Sequence, residues 1–186
     1  MMSKIWQRRL LALCLAFAGL TLWSKVTLTN AALQIPISEI TVTGRVKVND
    51  KIVSSGYAIR SGSTVTTAKG SSAVVSLGKL GRVEVLPQST LDLSFNDTGM
   101  TMQSRNGNLQ ITQFATFTAS VVTDDGEVVA DSSQENKFTV NTLCGNTVVS
   151  TQSGLVELRA GGEVKRILAG SQESIGKIKP GRCKQK

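Results

Sequence analysis

The chain has 186 residues, is 40% hydrophobic and only 4% aromatic, contains no histidine, and carries a formal net charge of +8. The missing histidines remove the commonest general base and the commonest zinc ligand. The charge does not mark a nucleic-acid binder. Four basic residues fall in the first 25 positions and five in the last ten, and what lies between is close to neutral. The basic stripe interleaved with aromatics that nucleic-acid binding calls for is missing. Abundant Val, Thr, Ser and Gly point instead to strands and turns, because side chains branched at Cβ pack well on a pleated surface.

In chain order, Lys4, Arg8 and Arg9 form a positive start to an apolar run from Leu10 to Trp23. That run, about fourteen residues long, is shorter than the ~20 that a spanning helix uses. It fits a secretory signal, with Thr29-Asn30-Ala31 as the cleavage site and residues 1–31 as the signal peptide. An uncleaved membrane anchor is the alternative, and residues 4–28 are then the membrane-associating segment. Cys14 lies within the apolar run after Leu13, which does not suit a lipidation site.

Beyond the leader, Ile40, Val42, Val46 and Val48 alternate with polar residues and predict one half-buried strand, followed by a turn at Asn49-Asp50. Further strands are expected at 64–67, 73–77 and 83–85, with Gly78-Lys79-Leu80-Gly81 as a hairpin loop, and at Leu91, Leu93 and Phe95. The second half continues at 109–111 and 118–123, turns at Asp124-Asp125-Gly126, and resumes at 128–130, 137–140, 147–151, 155–158 and 164–168. Turn residues recurring every eight to twelve positions predict an all-β fold: a compact sandwich-like body or a short solenoid-like stack of hairpins, preceded by one N-terminal hydrophobic helix. Val74-Val75-Ser76 and Val83-Glu84-Val85 resemble Val148-Val149-Ser150 and Val156-Glu157-Leu158, which suggests two similar hairpin units.

Residues able to carry chemistry are few. Asp124, Asp125, Glu127 and Asp131 cluster in sequence and could in principle hydrolyse a glycoside or bind calcium weakly, but a solvated hairpin tip explains them better. No Gly-x-Ser-x-Gly elbow and no phosphate-cradling glycine loop is present. The sequence therefore predicts no enzyme, no cofactor and no metal. With the leader removed, Cys144 and Cys183 remain, and in an oxidising compartment they are expected to pair; two free thiols are the alternative. Closing that loop of about forty residues is worth on the order of 4 kcal/mol in the chain-entropy model.

From Gly44 to about Leu93 the sequence resembles a FecR-type domain, the extracytoplasmic β-module of bacterial surface-signalling regulators. The matching elements are Gly44-Arg45-Val46, then Gly56 and Ile59 before Gly62, and Ser63 to Thr67. Ser72 to Leu77 follows, and Gly81-Arg82-Val83-Glu84-Val85-Leu86-Pro87 leads into Ser89-Thr90-Leu91. The resemblance implies residues 32–143 as a FecR-like β-domain with its core motif at 44–95, and residues 144–186 as C-terminal hairpins and a basic tail packed on the same body. About nine residues precede the apolar core, too few for the sigma-factor-holding domain of such regulators, so the resemblance implies the outer module alone. The Asp-Gly tip usual in the family is replaced by Gly78-Lys79-Leu80-Gly81.

The expected function is a non-catalytic binding or signalling component of the bacterial cell envelope, periplasmic or extracellular. Its partner would be an envelope protein or a cell-wall polymer, met through edge strands or through the tip at Lys79 and Leu80. The alternative is a structural envelope protein, anchored in the membrane by the leader and facing the periplasm, with its basic tail on anionic wall or lipid.

Overall fold

The computed structural model describes residues 38–143 and 145–177. Both cysteines of the expected bridge, the leader and the basic tail beyond Lys177 lie outside the described residues. The chain divides into two units, Met1–Gln34 and Ile35–Lys186, and the described β-body lies in the second.

Sixteen strands build it: β1 (Ser38–Thr43), β2 (Val46–Val48), β3 (Lys51–Ile52), β4 (Tyr57–Ile59), β5 (Ser63–Thr67), β6 (Ser72–Ser76), β7 (Gly81–Val85) and β8 (Thr90–Phe95). Then come β9 (Gly99–Gln113), β10 (Thr118–Val122), β11 (Glu127–Ala130), β12 (Asn136–Leu143), β13 (Asn146–Ser153), β14 (Leu155–Ala160), β15 (Glu163–Leu168) and β16 (Gln172–Gly176). One layer runs β4-β1-β6-β7-β9-β12-β13-β16 and the other β3-β2-β5-β8-β9-β10-β11-β14-β15. The inward faces of both layers form one core, from Ile40 and Val46 near the start to Val149 and Ile167 near the end. Each fully buried Val, Leu or Ile contributes about 1.5–3 kcal/mol of hydrophobic stabilisation. The fold is all-β, as the alternation predicts.

Strand β9 belongs to both layers. Its first half pairs with β8 and β10, and its second half pairs with β7 and β12. The inward positions are Met100, Met102 and Ser104 before the bend and Leu109, Ile111 and Gln113 after it, so the alternation changes phase between 104 and 109. Gly107 sits at the bend with φ +120°, and a methyl there would collide with Ser89. Residues 114–117 then bring the chain back beside its starting point. Thr118 opposes Gly99, and β10 runs parallel to the first half of β9. This is one turn of a solenoid set among hairpins. After it the chain deals hairpins alternately to the two layers: β10–β11, β12–β13 and β14–β15.

Two sequence expectations are corrected. The run 40–48 is two strands rather than one, because the chain turns at Gly44-Arg45, where the Arg45 amide donates to Ser71 Oγ at 2.9 Å, and β2 enters the opposite layer from β1. The supposed second copy of the β6–β7 hairpin is no hairpin. β6 and β7 do pair, Val75 opposite Val83, but β13 pairs with β12 and β16 while β14 pairs with β11 and β15. Similar sequences arise because each alternates to fill one core, and period two does not reveal which layer a strand joins. The Asn49-Asp50 turn forms as expected, with φ +48° and +63°, the pair of positive values a tight two-residue hairpin uses.

Candidate functional site

The hairpin tip between β6 and β7 is a single 3-10 turn over Gly78–Leu80. The Leu77 amide donates to the Gly81 carbonyl at 2.9 Å and closes it. Lys79 is exposed, but Leu80 is 2% exposed and belongs to the core. The expectation of an exposed Leu80 is corrected: the turn points the leucine inward, since an apolar side chain next to the end of the core gains more from burial than from solvent.

A feature not singled out from the sequence lies against this tip. The loop Phe114-Ala115-Thr116-Phe117 that closes the solenoid turn passes beside it, and the Phe114 amide donates to the Leu80 carbonyl at 3.3 Å. Lys79 Nζ stands 5.6 Å from the centre of the Phe117 ring, close enough for a cation–π attraction. Phe117 packs partly on the core, while Phe114 is 42% exposed. Thr116 holds φ +76°, where a branched side chain is strained, and its amide donates to the Ser132 carbonyl at 2.7 Å. The loop is fixed from beneath by Gln113, whose Nε2 donates to the carbonyls of Phe114 and of Phe117, the latter at 2.7 Å. Lys79, Phe114 and Phe117 thus form a cationic and aromatic patch on a braced loop. Two of the five phenylalanines lying three residues apart between strands was the signal available in the sequence.

The four acidic residues do not all come together. Asp124 and Asp125 stand at the β10–β11 turn, where Asp125 Oδ2 accepts from Thr147 Oγ1 at 2.9 Å. Glu127 opens β11 opposite Arg159. Asp131 lies beyond the far end of that strand, roughly 13 Å from Glu127 at a rise of about 3.3 Å per residue. There it shapes its own turn, accepting from the Ser133 amide at 2.9 Å, the Ser133 hydroxyl at 2.8 Å and Gln134 Nε2 at 3.1 Å. These bonds, the Ser133 amide foremost, hold its carboxyl below the usual 3.8. Each carboxylate is placed at a turn or a strand end, and Asp131 stands at the opposite end of β11 from the other three.

Two clefts of the described surface are lined by charged residues. One of about 190 Å³ is lined by Arg105, Asp124, Asp125, Leu143 and Asn146, among others. The other, about 350 Å³, lies on the outer face of β11 and β14. Glu157 reaches it between Arg159 at 2.8 Å and Arg166 at 3.4 Å. The Arg159 hydrogen bond, followed by the charges of both arginines, keeps the Glu157 carboxyl below the usual 4.5.

No protein-family model matches this sequence, and no curated protein matches it. Among solved structures the fold is similar to two crystal structures, at 2.50 and 1.65 Å, of a "putative anti-sigma factor from Parabacteroides distasonis". Each matches with a TM-score of 0.53 and 16% sequence identity over 61% of this chain. The match spans 54% of the other protein, about half its length, and at this identity it speaks for the fold alone.

Proposed function

We propose that the chain is an exported FecR-like β-module that acts as a non-catalytic binding or signalling component of the bacterial cell envelope. The observation that carries this reading is the shared fold with a protein described as an anti-sigma factor. The residues of the FecR-type resemblance, Gly44 to Leu93, fall on β2 to β8, which build the first part of both layers. The lack of histidine and the dispersal of the carboxylates into turns favour binding over catalysis.

The contact surface in this reading is the Lys79–Phe114–Phe117 patch, where an exposed ring and an ammonium sit on a loop already held in shape. Pre-organisation of this kind lowers the ordering cost of binding. The partner is an envelope protein or a wall polymer. The Cys144–Cys183 bond belongs to the same proposal. What supports it is the pairing of Asn146, two positions after Cys144 in the sequence, with Gly176, seven positions before Cys183.

A photo-reactive amino acid placed at Lys79 or at Phe114 in cells making the full chain tests this. The expected result is an adduct with an envelope component, formed from both positions and absent when the probe sits at Glu84 on the outer face of β7. Adducts only with cytoplasmic proteins, or equal adducts from all three positions, would contradict it.

A further inference from the structure

Four strands have a free side among the described residues: β3, β4, β15 and β16. β3 and β4 are two and three residues long, too short to template a partner strand. β16 has five residues and leads directly into the basic tail. β15, at six residues, is the longest of these edges.

Its side chains are arranged for use. Ile167 points into the core, and Lys165 on the same face reaches Glu173 of β16 at 3.3 Å, tying the two layers together. The outer row reads Val164, Arg166, Leu168. Val164 is 57% exposed, Leu168 is 62% exposed, and Leu168 stands beside Leu155 in register. Arg166 meets Glu157 at 3.4 Å but keeps 73% of its side chain open to solvent. The edge therefore offers an apolar–basic–apolar row next to unpaired backbone groups.

We infer that β15 receives an extended peptide segment of a partner protein as an added antiparallel strand, and that the segment carries the complementary row, apolar–acidic–apolar. Charge selects this occupant over two others. A second copy of β15 pairing about a two-fold axis sets Arg166 against Arg166, or Lys165 against Arg166, and like charges directly opposite are destabilising. The chain's own tail after Gly176 is basic and meets the same repulsion. A strand with Glu opposite Arg166 and Val opposite Val164 and Leu168 gains the ladder, the ion pair and the two apolar contacts.

This rests on the binding-module reading and names its partner's chemistry, yet it fails separately. Adducts at Lys79 and Phe114 with no strand addition at β15 would sink this inference alone. The test uses the processed chain purified from cells and two synthetic peptides, acetylated and amidated, Thr-Val-Thr-Glu-Thr-Val-Thr and its Lys-for-Glu counterpart. Amide NMR shifts and hydrogen exchange are followed along the whole chain. The expected result is shifting and slowed exchange at 163–168 with the acidic peptide. Binding should be about fivefold weaker for the basic peptide, the size of an exposed charge pair, and Arg166→Glu, at an exposed site that leaves the fold intact, should reverse the preference. Equal binding of both peptides, shifts confined to other strands, silence at about 1 mM peptide, which half-saturates a millimolar site, or self-association of the chain through β15 would each overturn it.

Discussion

Asn136 and Gln113, both fully buried, meet side chain to side chain, Asn136 Nδ2 donating to Gln113 Oε1 at 2.6 Å. The same Nδ2 reaches the carbonyls of Asp131 and Gln134, and Asn136 Oδ1 accepts from the Leu155 amide at 2.8 Å. Gln113 in turn holds the Phe114–Phe117 loop. One pair of amides thus fastens three successive crossings between the layers, near 114–117, 131–135 and 154. Asn136→Leu removes the donor and the acceptor together and strips the buried Gln113 oxygen and the half-buried Leu155 amide of these partners. The expected loss is about 3 kcal/mol, at 1–3 kcal/mol per stranded group. Urea unfolding should show a lower midpoint with an unchanged slope.

Gly154 lies against that pair. It holds φ +86°, and a methyl added there would run into Asn136 Oδ1 and the Glu135 carbonyl. Gly162, in the β14–β15 turn, has nearly the same φ of +85° and open space around it. Both Gly→Ala variants incur the left-handed penalty of about 1–2 kcal/mol. Gly154→Ala adds a packing cost of about 1–3 kcal/mol. Thermal melts of the two variants side by side separate the terms, and Gly154→Ala should melt clearly lower.

Thr116→Gly should stabilise the protein by about 1 kcal/mol, because it relieves a branched residue at φ +76° while leaving its amide bond to Ser132 in place. Under the proposed function the same variant should bind its partner less well, since the freed Phe114–Phe117 loop must be ordered again on contact. Chemical denaturation and crosslinking yield at Phe114 read the two effects.

Acid should destabilise the fold through Asp131 and Glu157. Both carboxyls have folded pKa values below their ordinary 3.8 and 4.5, so the stability they confer is complete above those values. It is lost as pH falls from there through the lower folded values. Asp131→Asn and Glu157→Gln should each flatten the decline in stability below about pH 4.5, where these groups begin to titrate. Urea midpoints taken in steps of pH check it.

The sequence made the strands legible wherever one face is apolar throughout, as at Leu91, Leu93 and Phe95, all buried. It also revealed the turns at Asn49-Asp50 and Asp124-Asp125-Gly126, because those residues adopt turn backbones readily. β9 was seen only at Leu109 and Ile111. Its first half packs Met100, Met102 and Ser104 inward among Thr, Gln and Arg, a weaker apolar contrast than a run of valines, and the phase change at its bend breaks the period. The assignment of strands to layers was hidden for a related reason: Gly44, Gly107 and Gly154 mark crossings, while Gly78 and Gly162 mark hairpins, and only the three-dimensional neighbours distinguish them. Of the patch, Lys79 was legible as a tip residue. Phe114 and Phe117 come to it from a loop more than thirty residues downstream in the chain.

Intact mass spectrometry of the protein made with its own leader in a Gram-negative host, with and without reductant, tests the proposal of an exported, oxidised module most directly. The account predicts a chain beginning at Ala32 that gains the mass of two hydrogen atoms on reduction, which reports removal of the leader and the Cys144–Cys183 bond together. A chain beginning at Met1 whose mass is the same before and after reduction would contradict it.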